Sequence, residues 1–405
     1  MGDIEKNNRR LPWRRGEHRA RVYRPGPFGL FYAGLLATGL VATAVVYLVL
    51  VHEVPGMRTN RADTLKTALL VIGGCGALAG LYVAYRKQRT DEANHLRDQD
   101  KLFTERYTAA VAQLGNAAAA VRLGGVYALA RIADDSERDR PTCLSVLCAY
   151  LRMPYNPDST EPAELQVRTT AQAAVADRLR PTHPGFWSDA EVDLSGAYLT
   201  RLHFEKVTTS SFNASGASFN GPAYFEEATF GVAIFTEAIF KKQAWFHMAT
   251  FSGIAAFHET TFSDNAGFEL ASFGTGALFG GATFERGARF FRAAFASNAV
   301  FNGATFAGDA HFDQADFKKE ARFQATAFGA EAVFDDATFE SGATFDDARF
   351  DGGARFDKTT FGEHTRFEGT RFHRDHPPTW PDGVAEPVGV VWINPNPAGV
   401  PPDGP

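Results

Sequence analysis

The sequence predicts a mixed, multidomain chain: a two-helix transmembrane hairpin, a small all-α module, and then a long repetitive β-helix. Two apolar runs, residues 28–51 and 65–85, predict the hairpin, and regularly spaced phenylalanines from Phe240 onward predict the β-helix. Phe numbers 36 among 405 residues, against 11 Tyr and 5 Trp. One aromatic type used so heavily indicates a repeated structural position.

The first apolar run, residues 28–51, reads FGLFYAGLLATGLVATAVVYLVLV and contains no charged residue. It exceeds the ~20 helical residues that cross a bilayer core and is longer than the apolar region of a signal peptide. The second run, residues 65–85, contains one lysine near its start, whose side chain can snorkel to the interface. We therefore predict transmembrane helices at 28–51 and 65–85, joined by a short external loop at 52–64.

Basic residues flank the predicted hairpin on one side. Residues 1–27 hold eight Lys/Arg and three acids, and a basic run begins again at Arg86. The loop at 52–64 has only two arginines. The positive-inside rule then places both termini in the cytoplasm, with 1–27 as a basic cytoplasmic segment. The prediction is a multi-pass protein of the cell membrane whose first partner is the lipid bilayer.

A GxxxG pair, Gly76 and Gly80, lies in the second predicted span. Such pairs let helices approach closely, either within the hairpin or between two copies of the chain. No charged residue lies at predicted mid-membrane depth, which argues against a channel or pump.

Residues 86–190 carry a helical pattern. Apolar residues recur at helical spacing between Val121 and Ile132, and prolines at 154, 157, 162 and 181 separate further helical segments. We predict a small helical module over 86–190. The chain has only three cysteines, Cys75, Cys143 and Cys148, which form no disulfide framework and lack metal-ligand or redox spacing. Free buried thiols in a reducing compartment are the expectation.

From Phe240 to Phe372, phenylalanine recurs in steps that alternate between six and five residues, and a small residue stands two positions before each one. A helical supercoil fails, because steps of five and six at 100° per residue do not return to one stripe. In a strand, positions two apart share a face. Each Phe and its small partner therefore point inward on one short side of a coil. The central inward positions are Phe284, Phe290, Phe295, Phe301, Phe306, Phe312, Phe317 and Phe323.

The unit A-x-F-x-x resembles the pentapeptide-repeat family, whose units read A-(D/N)-L-x-x. Residues 193–204, DLSGAYLTRLHF, resemble the usual form, with Leu194, Leu199 and Phe204 as central residues. The resemblance covers 191–373 and implies a right-handed quadrilateral β-helix with one pentapeptide per side. One added residue in every second unit predicts coils of about 22 residues instead of 20. The segment TERYTAAVAQLG also resembles the helical region that precedes the repeats in membrane-attached bacterial members.

The open ends of such a solenoid are sheet edges and need covers. We expect the helical module to cap the first coil, and the segment containing Pro377 and Trp380 to cover the last one. Residues 374–405 form a Pro-rich C-terminal tail, and 394–405 are predicted to be disordered.

The chain shows no catalytic signature: it has no Gly-rich phosphate loop, no HExxH motif and no nucleophile elbow. We therefore predict no enzyme and no cofactor. Five histidines occupy outward repeat positions and are interpreted as solvated: His247, His258, His311, His364 and His373.

A coil of 22 residues stacks acidic side chains into two columns: Asp313, Asp335 and Asp357, and beside them Asp346 and Glu368 below Gln324. Like charges about 5 Å apart repel one another. Arginine columns, Arg289 with Arg355 and Arg349 with Arg371, offer mutual neutralisation. The sharper hypothesis is a cation site or a docking strip for a basic partner.

Two functions remain open from the sequence. The first is an interaction scaffold at the cytoplasmic membrane face, with an unknown protein partner or self-association. The alternative is a nucleic-acid mimic that regulates a DNA-binding enzyme such as gyrase, as some soluble members of the resembled family do. Residues 190–373 hold 24 acids and 15 Lys/Arg, far below the charge density of duplex DNA. We therefore do not favour nucleic-acid mimicry, and we expect no nucleic-acid partner.

Overall fold

The computed structural model describes residues 28–53, 61–156 and 162–394. The predicted segment 1–27, most of the loop at 52–64, and tail residues 395–405 lie outside the described residues. The chain divides into two compact units, Met1–Gln99 and Asp100–Pro405. The described part of the second unit contains all the strands and most of the core.

Five helices precede the strands in the described residues: α1 Phe28–Glu53, α2 Arg61–Leu114, α3 Ala119–Asp135, α4 Arg140–Arg152 and α5 Pro162–Leu179. Among the residues searched, none of these helices combines the length and apolar character that a membrane crossing requires. The predicted transmembrane hairpin at 28–51 and 65–85 is therefore not found. Residues 28–51 lie in α1, and 65–85 are the first part of a 54-residue helix that continues through charged residues.

The helices α3, α4 and α5 pack around one apolar core that includes Leu129, Leu147 and Val175. The buried guanidinium of Arg168 on α5 donates to the carbonyls of Tyr150 and Leu151 in α4. The last carbonyls of a helix have no partner inside the helix, so this arginine satisfies an end that would otherwise be costly to bury. Its burial lowers the pKa of Arg168.

The strands are short, mostly two residues each. In chain order they are β1 Glu191–Asp193, β2 Tyr198–Leu199, β3 Leu202–His203, β4 Thr208–Asn213, β5 Ser218–Phe219, β6 Ala223–Tyr224, β7 Thr229–Ile234, β8 Ile239–Phe240, β9 Ala244–Trp245, β10 Thr250–Phe251, β11 Ile254–Ala256, β12 Thr261–Phe262, β13 Ala266–Gly267, β14 Ser272–Phe273, β15 Gly276–Leu278, β16 Thr283–Phe284, β17 Ala288–Arg289, β18 Ala294–Phe295, β19 Ala299–Val300, β20 Thr305–Phe306, β21 Ala310–His311, β22 Asp316–Phe317, β23 Ala321–Arg322, β24 Ala327–Phe328, β25 Ala332–Val333, β26 Thr338–Phe339, β27 Ala343–Thr344, β28 Arg349–Phe350, β29 Ala354–Arg355, β30 Thr360–Phe361, β31 Arg371–His373 and β32 Val391–Ile393.

These strands form a four-sided β-solenoid of about nine turns, with every strand pairing parallel. We number the sides in chain order, beginning with side 1 at β11, side 2 at β12, side 3 at β13 and side 4 at β14. The 10-stranded sheet is side 2 and the 8-stranded sheet is side 3. The 14-stranded sheet joins sides 4 and 1, because β4 and β7 run unbroken around that corner.

The coil lengthens along the solenoid. In the first coil Glu191 pairs with Ser211, and in the next Thr208 pairs with Thr229, one position further along. From Ala233, which pairs with Ala255, the register is one position longer again. The predicted 22-residue coil is confirmed for the regular repeats, while the first coil keeps the plain 20-residue form.

Each 11-residue unit contains one residue with a left-handed backbone, two positions after the Phe that precedes a five-residue step. Examples are Met248 (φ 54°), Glu259 (φ 54°) and Gly303 (φ 66°). The turn closes with a hydrogen bond from the next small residue to the Phe carbonyl, as in Ala249 N to Phe246 O at 3.0 Å. Few non-glycine residues favour this conformation, so the repeat stores backbone strain that its packing must offset.

The interior consists of four columns of phenylalanine rings, one per side. On side 3, Phe268 stacks on Phe246 at 4.8 Å and on Phe290 at 4.9 Å, nearly parallel. Rings on opposite sides meet edge to face, as Phe246 and Phe257 do at 5.5 Å and 87°. Both arrangements suit the aromatic quadrupole. All eight central Phe side chains predicted to point inward are buried.

Both ends of the solenoid are covered. At the first coil, apolar residues of α4 and α5 continue the core, Arg180 Nε donates to Glu205 O at 3.0 Å, and Arg152 pairs with Asp193. At the last coil, Trp380 packs against the core while Pro377 stays exposed. The tail also contributes a strand that the sequence analysis missed, β32, which pairs with β31.

Candidate interaction surface

The outward side chains of side 3 stand directly before and after each inward Phe. Because the coils are stacked in register, these positions form two parallel columns along the outside. Asp313, Asp335 and Asp357 follow the inward residues Phe312, Phe334 and Phe356. The structure therefore stacks the three aspartates as the 22-residue register predicts.

Each acid of this column has a partner, which is an arginine, a histidine or a backbone N–H group. Arg355 pairs with Asp335 and lies 3.9 Å from Asp357, and the backbone N–H of Asp357 donates to Asp335 Oδ1 at 3.0 Å. His311 Nδ1 lies 3.5 Å from Asp313 Oδ1. Arg355 thereby offsets the repulsion between Asp335 and Asp357.

The second predicted column, Asp346 and Glu368 with Gln324, does not stand beside the first. It follows the inward rings of side 1, Phe323, Phe345 and Phe367, and so lies on the opposite side of the solenoid from the aspartates of side 3. The prediction that the two columns are neighbours was wrong, because two coil positions that are 11 residues apart lie two sides apart.

Arg366 pairs with Asp346 at 2.8 Å, and Asp346 Oδ1 accepts the backbone N–H of Glu368 at 3.1 Å. In this column, as in the first, a carboxylate of one coil accepts a hydrogen bond from a backbone N–H of the next coil. Nowhere in the described part of the chain do three or more His, Cys, Asp or Glu residues gather so as to hold a metal ion.

The cysteines Cys143 and Cys148 are free and lie on the buried face of α4. Burial raises the pKa of the Cys143 thiol to about 11 and that of Cys148 to about 12. Thiols of this kind are poor nucleophiles at neutral pH. In α2, Gly80 is exposed with open space around it; the surroundings of its GxxxG partner, Gly76, lie outside the described residues.

A cavity of about 510 Å³ lies between α4 and the first strand, β1. Its wall is mixed in charge: Arg140 and Arg152 stand beside Glu137, Asp189 and Glu191. Arg152 is already paired with Asp193, and Arg140 Nε donates to the Ala133 carbonyl at 3.3 Å. The cavity therefore has no single dominant charge.

A different cluster occupies the first coils of side 3, which we call the aromatic strip: His203, Tyr224 and Trp245 in one column, and Glu205, Glu226 and His247 in the next. The register places Tyr224 beside His203 and Trp245 beside Tyr224. The rings of His203 and Tyr224 stack at 4.9 Å, 15° from parallel. Sequence reasoning missed this strip because these coils are shorter than the regular ones, so the regular spacing does not align their outward residues.

Trp245 lies over a glycine of the following coil. A β-carbon on Gly267 would stand 2.6 Å from Cε3 of the Trp245 ring and 2.6 Å from Oε2 of Glu269. Since real β-carbons do not approach so closely, Gly267 provides the space in which the indole lies across the sheet. Glu269 in turn lies 3.8 Å from Arg289.

Comparison with protein-family models identifies pentapeptide repeats, described as nine copies, at residues 191–250, 248–294, 301–349 and 334–375. Searches of curated proteins and of solved structures gave no significant match. The matched segments coincide with the four-sided solenoid and its Phe columns. The residues of the solenoid, 191–375, are thus identified as pentapeptide repeats, as the resemblance in the sequence indicated.

Proposed function

We propose that this chain is a non-enzymatic interaction module that presents its pentapeptide-repeat solenoid to a protein partner. The observation that carries the proposal is the difference between the inward and the outward positions of each coil. Phe and small residues fill the interior, while the outward positions differ from coil to coil, as in the column Tyr224, Trp245, Gly267 and Arg289. A fixed backbone with variable outward side chains is well suited to recognition by surface.

We further propose that the module works at the cytoplasmic face of the cell membrane. The support is the sequence alone: residues 28–51 lack charge, and basic residues flank both apolar runs. Fractionation of cells that produce the full chain tests this proposal. We expect the chain to stay in the membrane pellet after alkaline carbonate washing, and a variant lacking residues 28–85 to become soluble. Release of the full chain by carbonate would contradict membrane anchoring.

Charge pairing favours a protein partner over nucleic-acid mimicry. A mimic needs uncompensated carboxylates, whereas Asp335 and Asp346 are each paired with an arginine. Affinity purification of the full chain from cross-linked cells tests the interaction module. A specific protein that co-purifies in near-stoichiometric amount supports it, and recovery of the chain alone under all extraction conditions would contradict it.

A matched pair of variants sharpens that purification. Arg289→Ala changes an exposed outward position of side 3, while Phe290→Leu changes the buried neighbour and leaves the outer surface intact. If recognition is by surface, outward substitutions in the bound region reduce recovery of the partner while inward conservative ones do not.

A further inference from the structure

We propose that the aromatic strip on the first coils of side 3 binds an arginine side chain of a protein partner. The proposal rests on the interaction module proposed above and names the chemistry of its partner. It is carried by two features: a carboxylate without a cationic partner, and aromatic faces next to it.

The carboxylate is Glu226, which stands between Glu205 and His247 in its column. Among the described residues, Glu226 takes part in no ion pair, and its Oε2 atom is buried without a hydrogen-bond partner. Its neighbours differ: Glu205 lies 2.8 Å from His203 and 3.4 Å from Arg180, and Glu227 lies 3.5 Å from Lys206. Glu226 is thus the carboxylate of the aromatic strip that has no cationic partner among the described residues.

Burial raises the pKa of Glu226, and Glu205 adds to the effect, while its own backbone N–H, His247 and His203 oppose it. A carboxylate in this state has lost water without gaining a cationic partner. A cation supplied from outside would offset that cost.

The aromatic faces decide which cation fits. Tyr224 and Trp245 are half-buried and belong to adjacent coils, about 5 Å apart. A planar guanidinium stacks on such faces and still donates in its own plane to a carboxylate, whereas the ammonium of lysine is a strongly hydrated point charge. The strip therefore favours arginine over lysine.

The position of Trp245 supports the same conclusion. Gly267 leaves room for the indole to lie across the sheet, so the ring is held flat against the sheet. A ring held in place by the sheet loses little side-chain entropy on binding. The apolar side chains of Met248 and Leu270, 49% and 43% exposed, lie on the adjoining turns. Methionine and aromatic residues beside a charge are typical of the centre of a protein interface.

Direct binding to the purified full-length chain tests the proposal. The probe is a fluorescein-labelled Gly-Arg-Gly-Arg-Gly-Arg-Gly peptide, with the lysine analogue as comparison, and the readout is fluorescence anisotropy at physiological salt. We expect the arginine peptide to bind more tightly than the lysine peptide. Trp245→Ala and Glu226→Gln should each weaken binding of the arginine peptide about tenfold.

Two further variants serve as controls, one conservative and one outside the aromatic strip. Trp245→Phe keeps an aromatic face and should bind within about threefold of the wild type. His311→Gln, a change in the same outward column three coils on, should leave binding unchanged. No binding of the arginine peptide, or equal binding of both peptides that is insensitive to Trp245→Ala, would overturn the proposal.

The same variants separate this inference from the proposed function. If the protein partner co-purifies equally with the wild type and with Trp245→Ala, the interaction module stands and the arginine site is wrong. If no partner co-purifies with the wild type, the module itself fails, while the peptide experiment still decides whether the strip recognises arginine.

Discussion

The indole of Trp380 stacks on the ring of Phe356, with centroids 5.1 Å apart and planes 5° from parallel. The Phe column of side 3 thus ends in a tryptophan from the segment that follows the repeats. The same indole meets Phe367 and Phe372 edge to face, at 5.3 and 5.9 Å. One side chain therefore shields rings from three of the four columns.

Trp380→Ala should lower the free energy of unfolding by about 1–3 kcal/mol, because it removes a half-buried aromatic and exposes the last Phe rings. Urea denaturation followed by circular dichroism measures the change. Trp380→Phe should recover much of the loss. Val388→Ala is the control, since Val388 lies in the same tail and is 95% exposed. Equal effects of Trp380→Ala and Val388→Ala would show that the indole is not a cover.

Phe301 lies in the middle of the side 1 column, stacked on Phe279 at 5.0 Å and on Phe323 at 4.9 Å. Phe301→Ala should cost about 3–5 kcal/mol, because the fixed coils on either side prevent the cavity from collapsing. Phe301→Leu should cost roughly half as much, since Leu199 fills the equivalent inward position of the first coil on side 2. The difference in urea midpoints between the two variants checks this. A leucine variant as unstable as the alanine variant would contradict it.

The sequence predicted the repeat almost completely, because buried positions dictate residue type. The alternating steps and the inward Phe from Phe240 to Phe372 follow from volume and strand geometry. The strand β32 escaped prediction because Val391–Ile393 is short and stands in a Pro-rich segment, with only its pairing to β31 to define it. The aromatic strip escaped because it depends on coil length in the first turns, and outward residues carry no packing signal of their own.

Gly303 tests the left-handed turn. Its φ is 66°, and a β-carbon there would meet nothing within 4 Å, so Gly303→Ala changes only backbone preference. We expect a loss of about 1 kcal/mol in the free energy of unfolding. Ala325 adopts φ 54° at the equivalent turn of the next coil. The Ala325→Gly variant should therefore have a higher free energy of unfolding than the wild type.

The control for this turn is Gly353→Ala. Gly353 has no left-handed φ, and a β-carbon added there would lie 3.9 Å from its nearest neighbour. The substitution should therefore be neutral or slightly stabilising in thermal unfolding. A loss at Gly353 as large as that at Gly303 would mean that turn conformation is not the cause.

The thiols of Cys143 and Cys148 should resist alkylation in the folded protein. With thiol pKa values of about 11 and about 12, about one molecule in a thousand or fewer carries either thiolate at pH 8. We expect iodoacetamide to modify neither residue under native conditions and both of them in urea, as read by peptide mass spectrometry. Rapid native labelling of Cys148 would contradict the burial that raises its pKa.

Glu226→Gln should stabilise the fold at neutral pH while weakening arginine binding. The pKa of Glu226 is raised in the folded chain, chiefly by burial. The folded state then binds the proton more tightly than the unfolded state, so stability falls as pH rises through the ordinary glutamate range and on through the raised folded pKa. Above that window the wild type carries a poorly solvated charge that the glutamine variant lacks. The melting temperature of Glu226→Gln should therefore exceed that of the wild type at pH 7, and the difference should vanish once pH falls below the ordinary glutamate pKa.

Adding the arginine peptide should raise the melting temperature of the wild type above that of Glu226→Gln. A ligand that binds only the folded state stabilises it, by about 2.7 kcal/mol at a hundred times its Kd, and the variant binds the peptide more weakly. If the wild type melts at a higher temperature than the variant at pH 7 without peptide, Glu226 already has a cationic partner within this chain. That result would contradict the proposed site for an arginine of another protein.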